Sequence, residues 1–254
     1  MKLSGNTILI TGGTSGIGHA LASRFLEHGN TVLITGRTEE RLAATRQSLA
    51  GVHTYVCDQS DPDAIAQLHG TVVRAFPDLN VLINNAGIGL KRNLNDANVP
   101  LTELEREIDT NLTGPIQLIA QFLPHLKRQD TAAIINVTSG LAFVPFAMKP
   151  IYCATKAAMH SYTQSLRVQL AKTRVKVVEL VPPAVQTDFN KGQEDMNTGH
   201  RMELAELANA AIKGLEQGRD EIRPGLVGLL RWIRRLAPDL VVGKAGAEQM
   251  GLEG

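Results

Sequence analysis

The feature that most limits the fold of this chain is an alternation. Short β-branched, apolar runs are separated by longer amphipathic stretches. Thr7–Ile10, Thr31–Thr35, Val52–Val56, Val81–Ile83, Ala132–Val137 and Val175–Val181 read as strands. Between them, Ile17–Glu27, Glu39–Leu49, a stretch opening at Asp61-Pro62, Leu101–Ile108, Pro115–Lys127 and Ile151–Ala171 carry helical spacing. Asp61 is expected as an N-cap with Pro62 at the first helical position. Gly29-Asn30 stops the first helix. Glu203–Gln217 reads as a further helix and Glu221-Ile222 as a short last strand. Strands joined through helices run parallel, and a parallel sheet must be covered on both faces. Right-handed crossovers then give a doubly wound, Rossmann-type sheet. The expected fold class is α/β, one domain over residues 1–254.

Composition narrows the function. The chain has 254 residues, 43% of them hydrophobic, enough for a large core. Lys+Arg 26 against Asp+Glu 25 gives a formal net charge of +1, which supplies no general grip on nucleic acid. Two cysteines, Cys57 and Cys153, make no disulfide framework and fit a reducing compartment. Cys153 and His160 lack partners at ligand spacing, so no metal site is expected. Cys153 reads as a packing residue and His160 as a polar group on a helix face. The first residues show no secretory h-region, and no apolar run reaches the roughly 18–20 residues that span a bilayer. A cytoplasmic protein is expected.

Thr11-Gly12-Gly13-Thr14-Ser15-Gly16-Ile17-Gly18 links the first strand to the first helix. Glycines there permit a tight turn and let backbone N–H groups approach a pyrophosphate, which the helix N-terminus also attracts. Gly12, Thr14, Ser15, Gly16, Ile17 and Gly18 are therefore candidate contacts to a dinucleotide. At the end of the second strand an acid would bind the ribose 2′-OH and repel a 2′-phosphate. This chain has Thr35-Gly36-Arg37-Thr38 instead. Arg37 can fork onto a phosphate, which favours NADP(H), with NAD(H) the alternative. Asp58, ending the third strand, could accept from the adenine amino group or cap a turn.

Three further motifs follow in order. Asn84-Asn85-Ala86-Gly87 comes after the fourth strand, Thr138-Ser139 ends the fifth, and Tyr152-Cys153-Ala154-Thr155-Lys156 opens the next helix. With the glycine loop, and up to about Thr187, they resemble the short-chain dehydrogenase/reductase family in its single-domain branch. Thr138–Phe143 and Tyr152–Ala158 further resemble the DltE-like bacterial oxidoreductases. The resemblance implies hydride transfer between a nicotinamide cofactor and a carbonyl or alcohol, with Asn111, Ser139, Tyr152 and Lys156 as the catalytic set. It implies that Asn85, Ala86 and Gly87 line the cofactor, that Asn84 is structural, and that Asp58 meets the adenine. It also implies that Asn111 holds a water in a proton relay. Pro182, Val185 and Thr187 would pass the nicotinamide carboxamide, although Pro182-Pro183 replaces the usual Pro-Gly. A homodimer or homotetramer is implied, with the helices of Asn111 and Tyr152 at the interface.

The chemistry fits the residue types. Tyrosine titrates near 10 in model peptides, too high for easy exchange at neutrality. Lys156 lies one helical turn on, where its ammonium would stabilise a tyrosinate and hold nicotinamide ribose hydroxyls. Ser139 would hydrogen-bond the substrate oxygen at the carboxyl edge of the sheet. Leu90–Val99, Leu141–Pro150 and Asn190–His200 are expected to choose the substrate. Phe143, Phe146 and Met148 among them suggest a small or medium apolar carbonyl. Residues 188–202 read as a substrate loop and 223–254 as a variable C-terminal segment. Within the latter, Gly225–Pro238 is apolar with three arginines, fitting a cleft cap or subunit contact before a membrane surface. The rival functions are a cofactor-binding regulatory protein without turnover, an NAD(H)-dependent alcohol dehydrogenase, and an epimerase using the same Tyr/Lys pair.

Overall fold

A computed structural model describes residues 2–95, 99–187, 189, 201–229 and 232. Seven strands, β1 (Thr7–Ile10), β2 (Thr31–Gly36), β3 (His53–Val56), β4 (Leu79–Asn84), β5 (Ala132–Val137), β6 (Val175–Leu180) and β7 (Glu221–Ile222), form one sheet. Their order is β3-β2-β1-β4-β5-β6-β7, and every pairing is parallel. The chain builds outward from β1 to β3, then returns to build the other half from β4. That reversal puts a crevice between the carboxyl ends of β1 and β4, where open α/β sheets take ligands.

Among the described residues, seven helices cover the sheet: α1 (Gly16–Glu27), α2 (Glu39–Ser48), α3 (Pro62–Ala75), α4 (Leu101–Ile108), α5 (Gly114–Leu126), α6 (Pro150–Leu170) and α7 (Leu204–Glu216). The central strands are mostly apolar because both of their faces are buried, whereas the edge strand β3 is largely open to solvent. Successive side chains point to opposite faces. Ile8, Ile10, Val32, Ile34, Val81, Ile83, Val178 and Leu180 therefore pack with α1 and α7 in one core. Leu9, Leu33, Leu82, Ile134 and Val177 pack with α3, α5 and α6 in the other. Asp61 caps α3 as expected, its side chain accepting from the Asp63 N–H at 2.9 Å. Gly29 ends α1 at φ +73°.

Two local features depart from the sequence reading. The gap expected between helices at Asp109–Gly114 is a π-helical turn, Asp109–Thr113, that carries α4 into α5 without a break. Asn111 thus sits inside a continuous helical path and not near a helix start. His160 is not a plain helix-face group either. Its Nδ1 lies 2.8 and 3.0 Å from the carboxylate oxygens of Glu179, which is fully buried on β6 and also accepts from the Thr138 hydroxyl at 2.6 Å.

Candidate active site

The glycine loop occupies the crevice, and close approach dictates its glycines. Gly12 has φ +65°, and a Cβ there would lie 2.8 Å from Ala86 Cα. A Cβ on Gly18 would lie 2.4 Å from the Gly12 carbonyl oxygen. The turn is pressed against the segment after β4 and held there by polar bonds. Thr11 Oγ1 accepts from the Asn85 and Ala86 N–H groups at 3.1 and 3.0 Å. Asn85 Nδ2 donates to the carbonyls of Thr11 and Gly12 at 2.9 and 3.1 Å. Asn85, expected to line a cofactor, uses its side chain to clamp the loop.

Ser15 stands at the N-cap of α1 with extended backbone, and its side chain makes no capping bond. The first N–H groups of α1 thus keep no side-chain partner from Ser15, the arrangement that binds phosphate. Gly16 also faces a cleft shared with Gln186, Thr187, Arg201 and Leu204. Arg201 was not singled out from sequence; it stands far along the chain and only the fold brings it here. Arg37 is exposed beyond the end of β2. Burial raises the Asp58 carboxyl, but the Ser60 N–H and hydroxyl, then Arg106 and Arg37, bring it below its ordinary value. Asp58 Oδ1 accepts from Ser60 N and Oγ at 3.0 and 2.7 Å, so it does cap a turn. These donors, the close-packed glycines and the uncapped helix fit a dinucleotide.

The candidate catalytic residues meet across β5, α6 and the π turn. Asn84 Nδ2 donates to Asn136 Oδ1 at 2.8 Å, and Asn136 Nδ2 to Thr163 Oγ1 at 2.9 Å. This buried chain fixes α6 against the sheet, bearing out Asn84 as structural. Lys156 Nζ donates to the Val137 carbonyl at 2.9 Å and stands 5.6 Å from the centre of the Tyr152 ring. Ser139 Oγ accepts from the Leu141 N–H at 3.1 Å. The Ser139 side chain also acts on the Tyr152 hydroxyl. Desolvation pushes that hydroxyl up to about 12, opposed by Ser139. Desolvation pushes Lys156 down to about 8. In this state Lys156 is not what tunes Tyr152: its ammonium is turned to Val137.

Asn111 is 1% exposed and grips the Ile88 peptide from both sides. Its Oδ1 accepts from Ile88 N at 2.8 Å, and its Nδ2 donates to Ile88 O at 2.7 Å and to Thr155 Oγ1 at 3.2 Å. Gly87 lies between them: a Cβ there would be 3.1 Å from Asn111 Oδ1 and 3.7 Å from Lys156 Nζ. Gln59, missed from sequence, ties this floor together by donating to the carbonyls of Ala86 and Thr110 at 3.0 and 2.5 Å.

Beyond β6, Gly140 N donates to Pro182 O at 2.9 Å, so Pro182 braces the Ser139 segment. Val185 pairs with Met202 in a parallel bridge, through Gln186 N to Met202 O at 3.1 Å and Met202 N to Ala184 O at 2.9 Å. Such a bridge uses the neighbouring peptides and leaves Val185's own N–H and C=O on the other edge. Most of the expected substrate loop, 188 and 190–200, lies outside the described residues, as do 230, 231 and 233–254 of the C-terminal segment. Phe189 is described; its ring packs 5.4 Å from that of Tyr152, in space that Gly89 leaves free. Phe143 and Met148, expected to face an apolar substrate, are 6% and 0% exposed. Phe143 packs with Val144, Val181 and Val227, while Phe146 is half-buried. Cys153 is buried and free, its Sγ accepting from Phe146 N at 3.3 Å. Among the described residues there is no metal-ligand cluster, and no helix is long and apolar enough to cross a membrane.

The fold and this constellation define a nicotinamide-dependent oxidoreductase of the doubly wound class. A family profile described as short chain dehydrogenase matches residues 6–198, and the chain belongs to the short-chain dehydrogenase/reductase family. Within it, the chain is 45% identical over 224 residues to the "Uncharacterized oxidoreductase DltE" of Bacillus subtilis (strain 168), covering 87% of this chain and 89% of that one. A short-chain dehydrogenase from Sphingobium yanoikuyae in complex with NADPH superposes with TM-score 0.80 at 29% identity, over 92% of this chain and 93% of that one. A family member from Burkholderia phymatum in complex with NAD superposes with TM-score 0.84 at 22% identity, over 94% and 96%.

Proposed function

We propose that the protein interconverts a small-molecule carbonyl and alcohol with NADP(H), using Tyr152 as acid and base. The observation that carries this reading is Lys156 standing 5.6 Å from the Tyr152 ring, with Ser139 acting on the Tyr152 hydroxyl at the carboxyl edge of the sheet. The bound nicotinamide supplies or accepts the hydride. The Ser139 and Tyr152 hydroxyls hold the substrate oxygen, and Tyr152 passes its proton to that oxygen as negative charge develops. Lys156 stabilises the tyrosinate that remains. Asn111 acts as a positioning residue by fixing the Ile88 peptide. The glycine loop and the α1 N-terminus hold the pyrophosphate, with Arg201 on the same cleft. Asp58 serves the adenine side, and Val185 and Thr187 the carboxamide side. Arg37 is the reason for preferring the 2′-phosphate, since no carboxylate stands at the end of β2. The free thiols of Cys57 and Cys153 suit the cytoplasm.

One assay series tests the reading: a carbonyl and alcohol panel run with NADP(H) and NAD(H) side by side. Tyr152→Phe is expected to abolish turnover while leaving cofactor binding near normal; retained turnover overturns the mechanism. Arg37→Ala is expected to weaken NADPH about tenfold or more and NADH little. Equal use of both cofactors by the parent removes the Arg37 argument. Tight cofactor binding without turnover of any substrate turns the reading to a regulatory protein.

A further inference from the structure

Three ionic side chains stand above Tyr152 and Asn111 with no part in the chemistry just described. Lys149, at the N-cap of α6 three residues before Tyr152, is 1% exposed. Glu107, on α4 four residues before Asn111, is fully buried. Arg92 follows β4, and its backbone N–H donates to the Met148 carbonyl at 2.9 Å, beside Lys149. Helical spacing places Glu107 and Lys149 about one turn beyond the catalytic pair, on the substrate side of the sheet edge.

This cluster is polar and incompletely satisfied. Glu107 Oε1 accepts from Leu90 N at 3.3 Å, while its Oε2 is buried without a hydrogen-bond partner. Arg92 Nε is likewise buried without one, although its outer nitrogen pairs with Glu103. The Lys149 ammonium lies 5.0 Å over the Phe189 ring, which also packs beside Tyr152. The charges feel one another. Burial raises the Glu107 carboxyl, which Arg92 and Lys149 oppose; burial brings Lys149 down to about 8, which Glu107 opposes. Glu107 also acts on Tyr152. One acceptor and one donor are thus left over in a dry site, next to cations. An apolar carbonyl brings a partner to neither.

We propose that this cluster binds the charged end of a small β-hydroxy α-amino acid or its oxo form. Lys149 and Arg92 take the carboxylate, and Glu107 takes the ammonium. The carbinol carbon is thereby presented to Ser139 and Tyr152. The proposal rests on the oxidoreductase reading above and names its substrate class. In the oxidising direction the carbinol C–H leaves as hydride to NADP+, and the hydroxyl proton passes to tyrosinate 152 and on to solvent. The products are the amino oxo acid, NADPH and one proton.

The test compares four alcohols at saturating NADP+: threonine, 3-hydroxybutyrate, 1-amino-2-propanol and 2-butanol. Threonine is expected to exceed each of the others about tenfold or more in kcat/KM, the worth of one charge-assisted hydrogen bond. Lys149→Met should cut the ratio of threonine to 1-amino-2-propanol about tenfold, and Lys149→Arg should restore most of it. Glu107→Gln keeps an acceptor for Leu90 and should cut the ratio of threonine to 3-hydroxybutyrate. Ratios taken on one preparation do not depend on how much of it is folded. Equal use of 2-butanol or 3-hydroxybutyrate by the parent overturns the proposal, as do variants that lower all four substrates alike. Turnover of other carbonyls with none of these four overturns it and leaves the oxidoreductase reading standing. No turnover of any carbonyl or alcohol fails both.

Discussion

Single residues here show how position changes chemistry. Lys149 and Lys156 are both pushed down to about 8 by desolvation. In the unfolded chain each keeps its proton to near 10.5. Below pH 8 both states are protonated, and folding must bury two ammonium groups. As pH rises through 8 the native state releases protons that the unfolded chain still holds, so stability rises with pH. Above pH 9 the gain is opposed, because burial lifts the Cys57 thiol from 9.0 to about 11. We expect the cofactor-free protein to melt at higher temperature at pH 9 than at pH 7.5. Lys156→Met should flatten that rise. A flat or falling melting temperature over this window, measured by calorimetry, contradicts the burial of these two amines. In sequence Lys149 and Glu107 look like ordinary helix-end charges, because burial of a charge depends on neighbours far along the chain.

At the scale of elements, the strands were legible because both faces of a parallel sheet demand apolar side chains. Ala132–Val137 was read to the residue, and most other boundaries within one or two. The π turn was not. Thr110, Asn111, Thr113 and Gly114 are poor helix formers, and read from sequence they look like a break. The helix continues because Asn111 binds backbone groups of Ile88 in the neighbouring loop and Gln59 donates to the Thr110 carbonyl, which no periodicity reveals. Glu179 was hidden in the same way: it occupies an ordinary strand position, and only its contact with His160 and Thr138 explains a fully buried acid. The candidate catalytic motifs are readable in order, whereas the places of Arg201 beside the Gly16 cleft and Phe189 beside Tyr152 need the fold. The Asn84–Asn136–Thr163 chain, which seats α6, gives a prediction at this scale. Thr163→Val removes the acceptor for Asn136 Nδ2 and leaves a buried donor unpaired. Such a loss costs about 1–3 kcal/mol. Urea unfolding should show a lower midpoint with an unchanged slope. An unchanged midpoint means the chain carries no weight in seating α6.

For the whole molecule, the faces that the sheet and helices leave outward are informative. Leu101 and Ile108 on α4 and Val168 on α6 are 72%, 38% and 78% exposed. Large apolar side chains spread along the helices that carry Asn111 and Tyr152 favour association of two or more copies. Light scattering at micromolar concentration is expected to give a dimer or tetramer, and Val168→Asp with Leu101→Asp should shift it toward the monomer. A monomeric parent protein rules the interface out. The bridge between Val185 and Met202 has a different consequence. It ties together both ends of the segment from 186 to 201, so the sheet is indifferent to how long that segment is or what it contains. Segments from relatives could be exchanged there as cassettes, changing what the enzyme accepts while its folding and its proton chemistry stay with the scaffold.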